Sequence, residues 1–290
     1  MINMSEEKIV FICGTARSGS TILDLALSNE QNRFGCGELY ALFRPWKKHH
    51  ANIECSCGDS RCTVWRSIKD NGVREEQIHR HLFDNFDCNV LVDSSKNLNW
   101  LIDSINWCRE KNIQYVIVAV WKFADELSKS FERRGRGDWF EKFCQYHYRL
   151  DSLGETYITI KYADLVERTD ETLQKLCDVV GVSYVESMDV ISVSKSHFLF
   201  GSGGVRNGMI DNGRLRIEKR SNSDANLNTS LDEISASKYD DVCSMLIEKD
   251  LFRVAPTYSK KSKRRYKPWW YYQRKARDFM TLRVPMLRRK

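Results

Sequence analysis

A glycine-rich loop near the N-terminus has residue types that bind a phosphate or sulfate group. The segment ICGTARSGST covers residues 12–21, between an apolar run and a stretch with helical periodicity. Gly14 and Gly19 have the spacing of the Walker phosphate-binding pattern, but Ser20 stands where that pattern has its lysine. Arg17 lies inside the loop, and its planar guanidinium is suited to bridging a tetrahedral anion. The loop therefore predicts an anion site, unless its glycines only form a tight turn.

Apolar runs that alternate with helical patterns indicate the elements that position this loop. The runs are KIVFIC (8–13), NVLVD (89–93), YVIVAVW (115–121) and TYITIKY (156–162). Strands that alternate with helices predict a parallel sheet with crossover helices. We therefore expect an α/β fold of the P-loop type, with three layers and a central parallel sheet flanked by helices. Its ligand site should lie beyond the carboxyl ends of the strands.

The length of 290 residues allows one large α/β domain, which we assign to residues 1–259. Two regions differ from the strand and helix pattern. Residues 44–87 are rich in Cys, His and Trp and are interpreted as an insertion. Residues 201–232 are rich in Gly, Ser, Asn and Asp, which predicts an extended loop that closes over the site. A late helix is predicted for residues 232–252.

The composition gives an expectation about the compartment. No apolar run approaches the roughly 18 residues that a membrane span requires. The first residues, MINMSEEK, lack the apolar core of a secretory signal. We therefore expect a cytoplasmic protein, whose ten cysteines stay reduced.

The loop and its flank, TARSGSTILDLALSN, resemble the 5′-phosphosulfate loop of sulfotransferases that use 3′-phosphoadenosine-5′-phosphosulfate (PAPS). The form of the loop is most similar to bacterial and tyrosylprotein sulfotransferases, and further motifs follow in the family's order. The resemblance implies an enzyme that moves the sulfuryl group of PAPS to an acceptor hydroxyl without a metal. The acceptor class stays open among carbohydrate, lipid, peptide and small alcohol. The loop residues implied in donor binding are Arg17, Ser18, Gly19, Ser20 and Thr21.

Two later motifs contain the catalytic residues that the resemblance implies, besides Arg17. In GCGELYALF, Glu38 would be the general base that takes the acceptor proton. An acceptor-side histidine, from the pair at 49–50 or His197, is the alternative base. In VLVDSSKNLNWL, Lys96 would stabilise charge on the leaving phosphate. A Glu38 that only caps or pairs in its loop, and a solvated Lys96, are the structural alternatives.

Three residues are implied in binding the 3′-phosphate that distinguishes PAPS from ordinary nucleotides. The segment VAVWKFADELSKSFERR resembles the family's R-D-P-R motif and the serine eight residues beyond its first arginine, with Lys122 in place of that arginine and Ser130 at the serine. Arg134, one helical turn further on, would compensate for the departure. In SHFLFGSGGVRNG, Arg206 would reach the same phosphate. Tyr162 would contact the adenine, with a core position as its alternative.

Two other classes of protein fit parts of the pattern. A P-loop nucleotide kinase or NTPase would use Asp93, at the end of an apolar run, to hold magnesium. The missing Walker lysine argues against this alternative. A non-catalytic protein that binds nucleotide or nucleic acid would depend mainly on its basic tail.

A cysteine-rich segment, CSCGDSRCTVW, raises the question of a metal site. Its cysteines are Cys55, Cys57 and Cys62, and His49 and His50 are near in sequence. Zinc sites usually pair their ligands as C-x-x-C, and the C-x-C spacing departs from that pattern. A similar insertion occurs in bacterial sulfotransferases. We therefore expect structural thiols on the acceptor side and no metal, while zinc and a redox pair stay open.

The C-terminal tail, residues 260–290, carries most of the excess positive charge. It has 13 Lys or Arg and one acidic residue, a net charge of +12, while the remaining 259 residues have a net charge of −5. Basic residues interleaved with aromatic ones suit an anionic membrane surface or a nucleic-acid backbone. We expect peripheral membrane contact rather than nucleic acid as the partner. The alternative is a solvated tail whose aromatic side chains pack on the domain.

Removal of this tail should abolish binding to anionic vesicles. Each cation near such a surface contributes about 1 kcal/mol, so a net charge of +12 favours adsorption strongly. Co-sedimentation with vesicles compares the full chain with a version that ends at residue 259. Equal binding of the two proteins, or no binding by either, would exclude a membrane role for the tail.

Overall fold

A parallel sheet of five strands forms the centre of the fold. The computed structural model describes residues 7–133, 135, 137–193, 196–217 and 233–253. The strands are β1 (Lys8–Cys13), β2 (Asn32–Gly37), β3 (Cys88–Asp93), β4 (Gln114–Trp121) and β5 (Ile158–Lys161). Their order across the sheet is β2-β3-β1-β4-β5, and every neighbouring pair is parallel. The carboxyl ends of the strands therefore meet at one edge of the sheet.

Helices connect the strands and cover the sheet. They are α1 (Ser20–Leu27), α2 (Leu39–Leu42), α3 (Thr63–Asp70), α4 (Ile78–Asn85), α5 (Leu98–Lys111), α6 (Ala124–Glu132), α7 (Trp139–Asp151), α8 (Tyr162–Glu167), α9 (Thr169–Val180), α10 (Gly203–Asn212) and α11 (Glu233–Glu248). Two short strands, β6 (Val190–Ser192) and β7 (Arg214–Arg216), form a separate antiparallel pair. Short 3-10 helices cover Lys48–His50, Glu75–Gln77 and Glu186–Asp189.

The central strands β1, β3 and β4 are largely buried on both faces, which explains why they are continuous apolar runs, whereas the edge strand β2 is partly exposed. In β1, Ile9 and Phe11 pack into a cluster with residues of α2 to α7 and α11. Val10 and Ile12 point the other way, into a second cluster with residues of α1 and α8 to α10. Two helical layers thus enclose one sheet, and the predicted three-layer α/β fold with a central parallel sheet is confirmed.

The structure differs from the sequence prediction in two places. The segment predicted as an extended loop, 201–232, contains α10 and β7, and its residues 218–232 lie outside the described part of the chain. The helix forms because Val205 and Met209 are four residues apart and both are buried in the core. The predicted strand 156–162 extends one residue too far, because Tyr162 is the first residue of α8.

Some expectations fall on residues that are not described. Arg134 and the tail at 260–290 lie outside the described residues, so their roles stay predictions. Within the described part of the chain, no helix combines the length and the apolar character needed to span a bilayer.

Candidate active site

A cavity of about 500 Å³ opens at the carboxyl edge of the sheet. Each strand contributes at least one cavity residue from the segment that follows it. In the chain order of the five strands, these residues are Arg17, Glu38, Lys96, Lys122 and Tyr162. Nine of the predicted site residues line the cavity: Arg17, Gly19, Ser20, Thr21, Glu38, Lys96, Lys122, Ser130 and Tyr162.

The glycine-rich loop joins β1 to the N-terminus of α1, where the first helical N–H groups lack partners within the helix and favour an anion. Arg17 has a backbone φ of 74°, an uncommon conformation for a residue with a side chain. Its Nε donates a hydrogen bond of 3.0 Å to Ser130 Oγ of α6. The loop is thereby connected to the opposite side of the cavity, and the guanidinium is held across it.

A lysine in the turn after β3 lies beside the loop, which has no Walker lysine of its own. Lys96 Nζ donates to Ser20 Oγ at 3.2 Å and to Glu38 Oε1 at 2.7 Å. The ammonium group therefore connects the first turn of α1 with the residue that follows β2. An anion bound by the loop would meet a cation and a carboxylate that are already positioned together.

The turn that presents Lys96 is held on both sides. Lys96 has a backbone φ of 56°, which a lysine adopts only when its surroundings impose it. On one side, Asp93 Oδ1 accepts hydrogen bonds from the amide and hydroxyl of Ser95. On the other side, Asn97 caps α5 by accepting from the amides of Asn99 and Trp100. The strained turn thus has fixed ends.

The buried carboxylate of Asp93 is fully used by protein groups. Its Oδ2 accepts from Trp100 Nε1 at 2.7 Å and lies 3.2 Å from His79 Nε2, while Ser95 binds the other oxygen. Asp93 is 1% exposed and does not line the cavity. This geometry removes it from the magnesium role that an NTPase would require.

One face of α6 lines the far end of the cavity. Glu126, Lys129, Ser130 and Arg133 lie at helical spacings of three and four residues and all line the cavity. Of these four residues, only Ser130 was predicted from the sequence. The period of the helix, applied to Ser130, would have identified Arg133 three residues further on, and Lys129 lies four residues before Arg133 on the same face.

The adenine and phosphate candidates are in contact with each other. Lys122 Nζ lies 3.6 Å from the ring centroid of Tyr162, within the range of a cation–π interaction. The Tyr162 ring also lies against Gly19, because a Cβ built on Gly19 would be 2.3 Å from Tyr162 Cδ2. The aromatic ring therefore connects the glycine-rich loop to the cation that follows β4.

Two predicted residues do not line the cavity. Ser18 is fully buried beneath the loop, where its amide donates to Thr15 O at 3.2 Å. Arg206, in α10, forms an ion pair with Glu54 and donates to Phe200 O at 2.9 Å. Contact between Arg206 and a 3′-phosphate stays a prediction, and it requires the side chain to leave Glu54.

The three histidines named as alternative bases are in different environments. His49 lines the cavity. His50 is buried, and burial together with the nearby charges of His49 and Lys47 lowers its pKa to about 4. His197 lies away from the cavity, with its Nδ1 3.3 Å from Cys62 Sγ. Among these histidines, only His49 is placed to exchange a proton with a molecule in the cavity.

Comparisons with known proteins support the fold. No family model and no curated protein sequence matches the chain. Among solved structures, the sulfotransferase domain from the Synechococcus PCC 7002 olefin synthase is 16% identical, with a TM-score of 0.56 over 84% of this chain and 97% of that domain. The sulfotransferase domain from the curacin biosynthetic pathway is 18% identical, with a TM-score of 0.54 over 83% of this chain and 98% of that domain. The chain therefore has the fold of these sulfotransferase domains.

The contact between Gly19 and Tyr162 can be tested by stability. Gly19 has a φ of +107°, and Gly72 has a φ of +63° with nothing within 4 Å of a built Cβ. Both alanine substitutions strain the backbone, but only Gly19→Ala also drives a methyl group into the tyrosine ring. We expect Gly19→Ala to lower the free energy of unfolding by about 1–3 kcal/mol more than Gly72→Ala.

Denaturant unfolding of both variants, and of Gly19→Ala combined with Tyr162→Ala, measures this difference. Removal of the ring should recover most of the extra loss, since the two residues interact directly. Equal losses for Gly19→Ala and Gly72→Ala would show that the loop does not depend on the tyrosine.

Proposed function

We propose that the protein transfers the sulfuryl group of PAPS to the hydroxyl group of an acceptor. One observation carries this proposal: cationic, hydroxyl and carboxylate groups that follow the five strands line one cavity. The fold supports the proposal, because it is shared with two sulfotransferase domains. The donor, the acceptor class and the roles below belong to this proposal.

The charges in the cavity suit a nucleotide with two separate anionic groups. Arg17 and Lys96 lie at the loop, and Lys122, Lys129 and Arg133 lie toward α6. We assign the 5′-phosphosulfate to the loop amides, Ser20, Thr21 and the first pair of cations. The 3′-phosphate goes to Lys122 and Ser130, and the adenine lies beside Tyr162.

The transfer step then uses Glu38 and Lys96 together. The acceptor oxygen forms a bond to sulfur as the bond between sulfur and the bridging phosphate oxygen breaks. Glu38 takes the acceptor proton, and the leaving group is 3′-phosphoadenosine-5′-phosphate. Lys96 is close enough to both the loop and Glu38 to stabilise the charge that develops on the bridging oxygen.

This arrangement argues against the kinase or NTPase alternative. Ser20 occupies the position of the Walker lysine, and the ammonium group that contacts Ser20, that of Lys96, follows β3 and is paired with the Glu38 carboxylate. Asp93, the candidate magnesium ligand, is buried and bonded to protein donors. The loop therefore lacks the lysine that would bind a nucleoside triphosphate, and the aspartate that would bind its magnesium is already hydrogen-bonded within the protein.

Nucleotide selectivity tests the donor assignment. We expect 3′-phosphoadenosine-5′-phosphate to bind about tenfold to a hundredfold more tightly than AMP without magnesium, since a charge-assisted contact contributes about 1.5–3 kcal/mol. Lys122→Met and Ser130→Ala should each reduce this ratio. Lys111→Met, at the exposed end of α5, is the matched control and should leave it unchanged.

Titration calorimetry measures the ratio for each protein. Equal affinities for the two nucleotides would refute the phosphate assignment, and tight binding of ATP that requires magnesium would support the kinase alternative.

Substitution of Glu38 tests the proposed base. Glu38→Gln should lower kcat by about 10²–10⁴-fold and leave the affinity for 3′-phosphoadenosine-5′-phosphate nearly unchanged, because a general base acts in the transfer step. The control is Glu155→Gln, which also removes a carboxylate from an ion pair, with Arg109 at 2.8 Å. Glu155 precedes β5 and therefore lies at the amino ends of the strands, opposite the cavity.

Transfer from radiolabelled PAPS is measured to an acceptor that the wild-type protein sulfates, selected from a panel of alcohols, phenols and carbohydrates. Turnover of Glu38→Gln within a few fold of the wild type would assign the base elsewhere, and His49→Ala would be measured next.

A further inference from the structure

Four side chains with metal-binding atoms meet outside the cavity. They are Cys55, Cys57, Cys62 and His197, and we call them the Cys₃His cluster. One ligand atom from each residue lies within 4.8 Å of the other three. The cysteines are near in sequence, but His197 is 135 residues beyond Cys62. The fold has therefore brought a distant imidazole onto three thiols.

The distances from His197 to two of the cysteine sulfurs are close to those between ligand atoms of a tetrahedral zinc site. Zn–S bonds of about 2.3 Å and Zn–N bonds of about 2.0 Å separate the ligand atoms by about 3.5–3.8 Å. Nδ1 of His197 lies 3.3 Å from Cys62 Sγ and 3.8 Å from Cys55 Sγ. Only a small adjustment of the side chains would place all four atoms around one ion.

The surroundings also suit a bound cation with thiolate ligands. Cys55 and Cys62 are buried, while Cys57 and His197 are partly accessible, so an ion has a path from solvent. Cys62 immediately precedes α3, whose N-terminal end favours a negative sulfur. The backbone of His197 is held in place, because His197 O accepts a hydrogen bond of 2.6 Å from Trp65 Nε1. This restrains the position of the imidazole.

We propose that the Cys₃His cluster binds one structural Zn²⁺ ion. Three thiolates and one imidazole make a closed ligand set that matches structural zinc sites. On binding, the three thiol protons are released to solvent, and the sulfur atoms and Nδ1 of His197 donate electron pairs to the ion. The imidazole keeps its proton on Nε2. This proposal replaces the expectation of unligated structural thiols.

The ion would connect the insertion to the segment that passes over the active-site cavity. The segment next to His197 pairs with the insertion on one side, through hydrogen bonds from Ser56 N to Phe198 O and from Phe200 N to Glu54 O. On the other side, Leu199 O accepts from Glu38 N at 2.9 Å. The same segment leads to Ser202. Zinc would therefore stabilise residues 196–202, which we call the brace and whose Leu199 contacts the backbone of Glu38. The ion itself would lie outside the cavity.

Gly37 shows how closely this brace approaches the sheet. It has a φ of +67°, and a Cβ built on it would lie 2.2 Å from Leu199 O. The segment therefore packs directly on the backbone at the end of β2, so a loss of the ion would be transmitted to the position of Glu38.

Metal analysis tests the proposal without any activity assay. Elemental analysis of the full chain, purified without chelator, should give about one zinc per chain. Cys57→Ser and His197→Ala should each reduce that content to less than about a quarter. Cys88→Ser replaces a partly buried cysteine outside the cluster and should retain about one zinc.

Cobalt substitution of the wild-type protein keeps the test valid if a variant does not fold. Co²⁺ added to metal-free protein should give the visible spectrum of tetrahedral coordination with thiolate-to-cobalt charge transfer, and Zn²⁺ should remove it. Cys57→Ser, if folded, should lose most of the charge-transfer intensity, since the site without one of its three thiolates no longer retains the ion. Chelation should also lower Tm by about 10 °C.

Four outcomes would overturn the proposal. They are wild-type protein that neither contains nor takes up zinc, iron in place of zinc, a disulfide among the three cysteines, and zinc that persists in both Cys57→Ser and His197→Ala.

Hydrogen exchange adds a test of the brace. The amides of residues 196–202 should exchange faster after metal removal, and unchanged exchange would contradict a role for the ion in holding this segment.

Discussion

The hydrogen bonds of one ammonium group organise the candidate active site. Lys96 Nζ contacts Ser20 Oγ and Glu38 Oε1, and thus connects the residues that follow β1, β2 and β3. The order β2-β3-β1 makes this possible, because it places β3 between the other two strands. The left-handed backbone at Lys96 aims the side chain at this point, and the Asp93 turn and Asn97 cap hold it there. The serine at the Walker lysine position does not prevent anion binding, because Lys96, which follows the neighbouring strand β3, supplies a cation there.

A second constraint holds the carboxylate of this pair. The backbone amide of Glu38 donates to Leu199 O, and the segment around Leu199 is paired with the insertion that carries the three cysteines of the Cys₃His cluster. Glu38 is therefore positioned by its side chain through Lys96 and by its backbone through a segment that is distant in sequence. The insertion contributes no strand to the central sheet, yet it supports the sheet's ligand edge.

The sequence predicted the parts of this structure that depend on local patterns. Runs such as KIVFIC predicted strands because both faces of the sheet are buried, and the residues after those strands meet because parallel carboxyl ends share an edge.

Pairings between distant segments were not predicted, since spacing carries no information about them. Arg206, which is predicted to bind a phosphate, forms an ion pair with Glu54, and His197, named as an alternative base, lies beside Cys62. The C-x-C spacing argued against zinc because it departs from C-x-x-C, and the sequence did not show that His197, 135 residues beyond Cys62, joins the three cysteines. The helix α10 was missed because its glycine-rich composition concealed two apolar residues four positions apart.

The most direct test of the account is a crystal structure of the protein with 3′-phosphoadenosine-5′-phosphate. We expect the 5′-phosphate to lie on the loop amides between Arg17 and Lys96, with the 3′-phosphate within hydrogen-bond distance of Lys122 or Ser130. The Lys96 ammonium should remain between Glu38 and the 5′-phosphate. A nucleotide bound in the opposite direction, or a 3′-phosphate exposed to solvent with no contact to either residue, would contradict it.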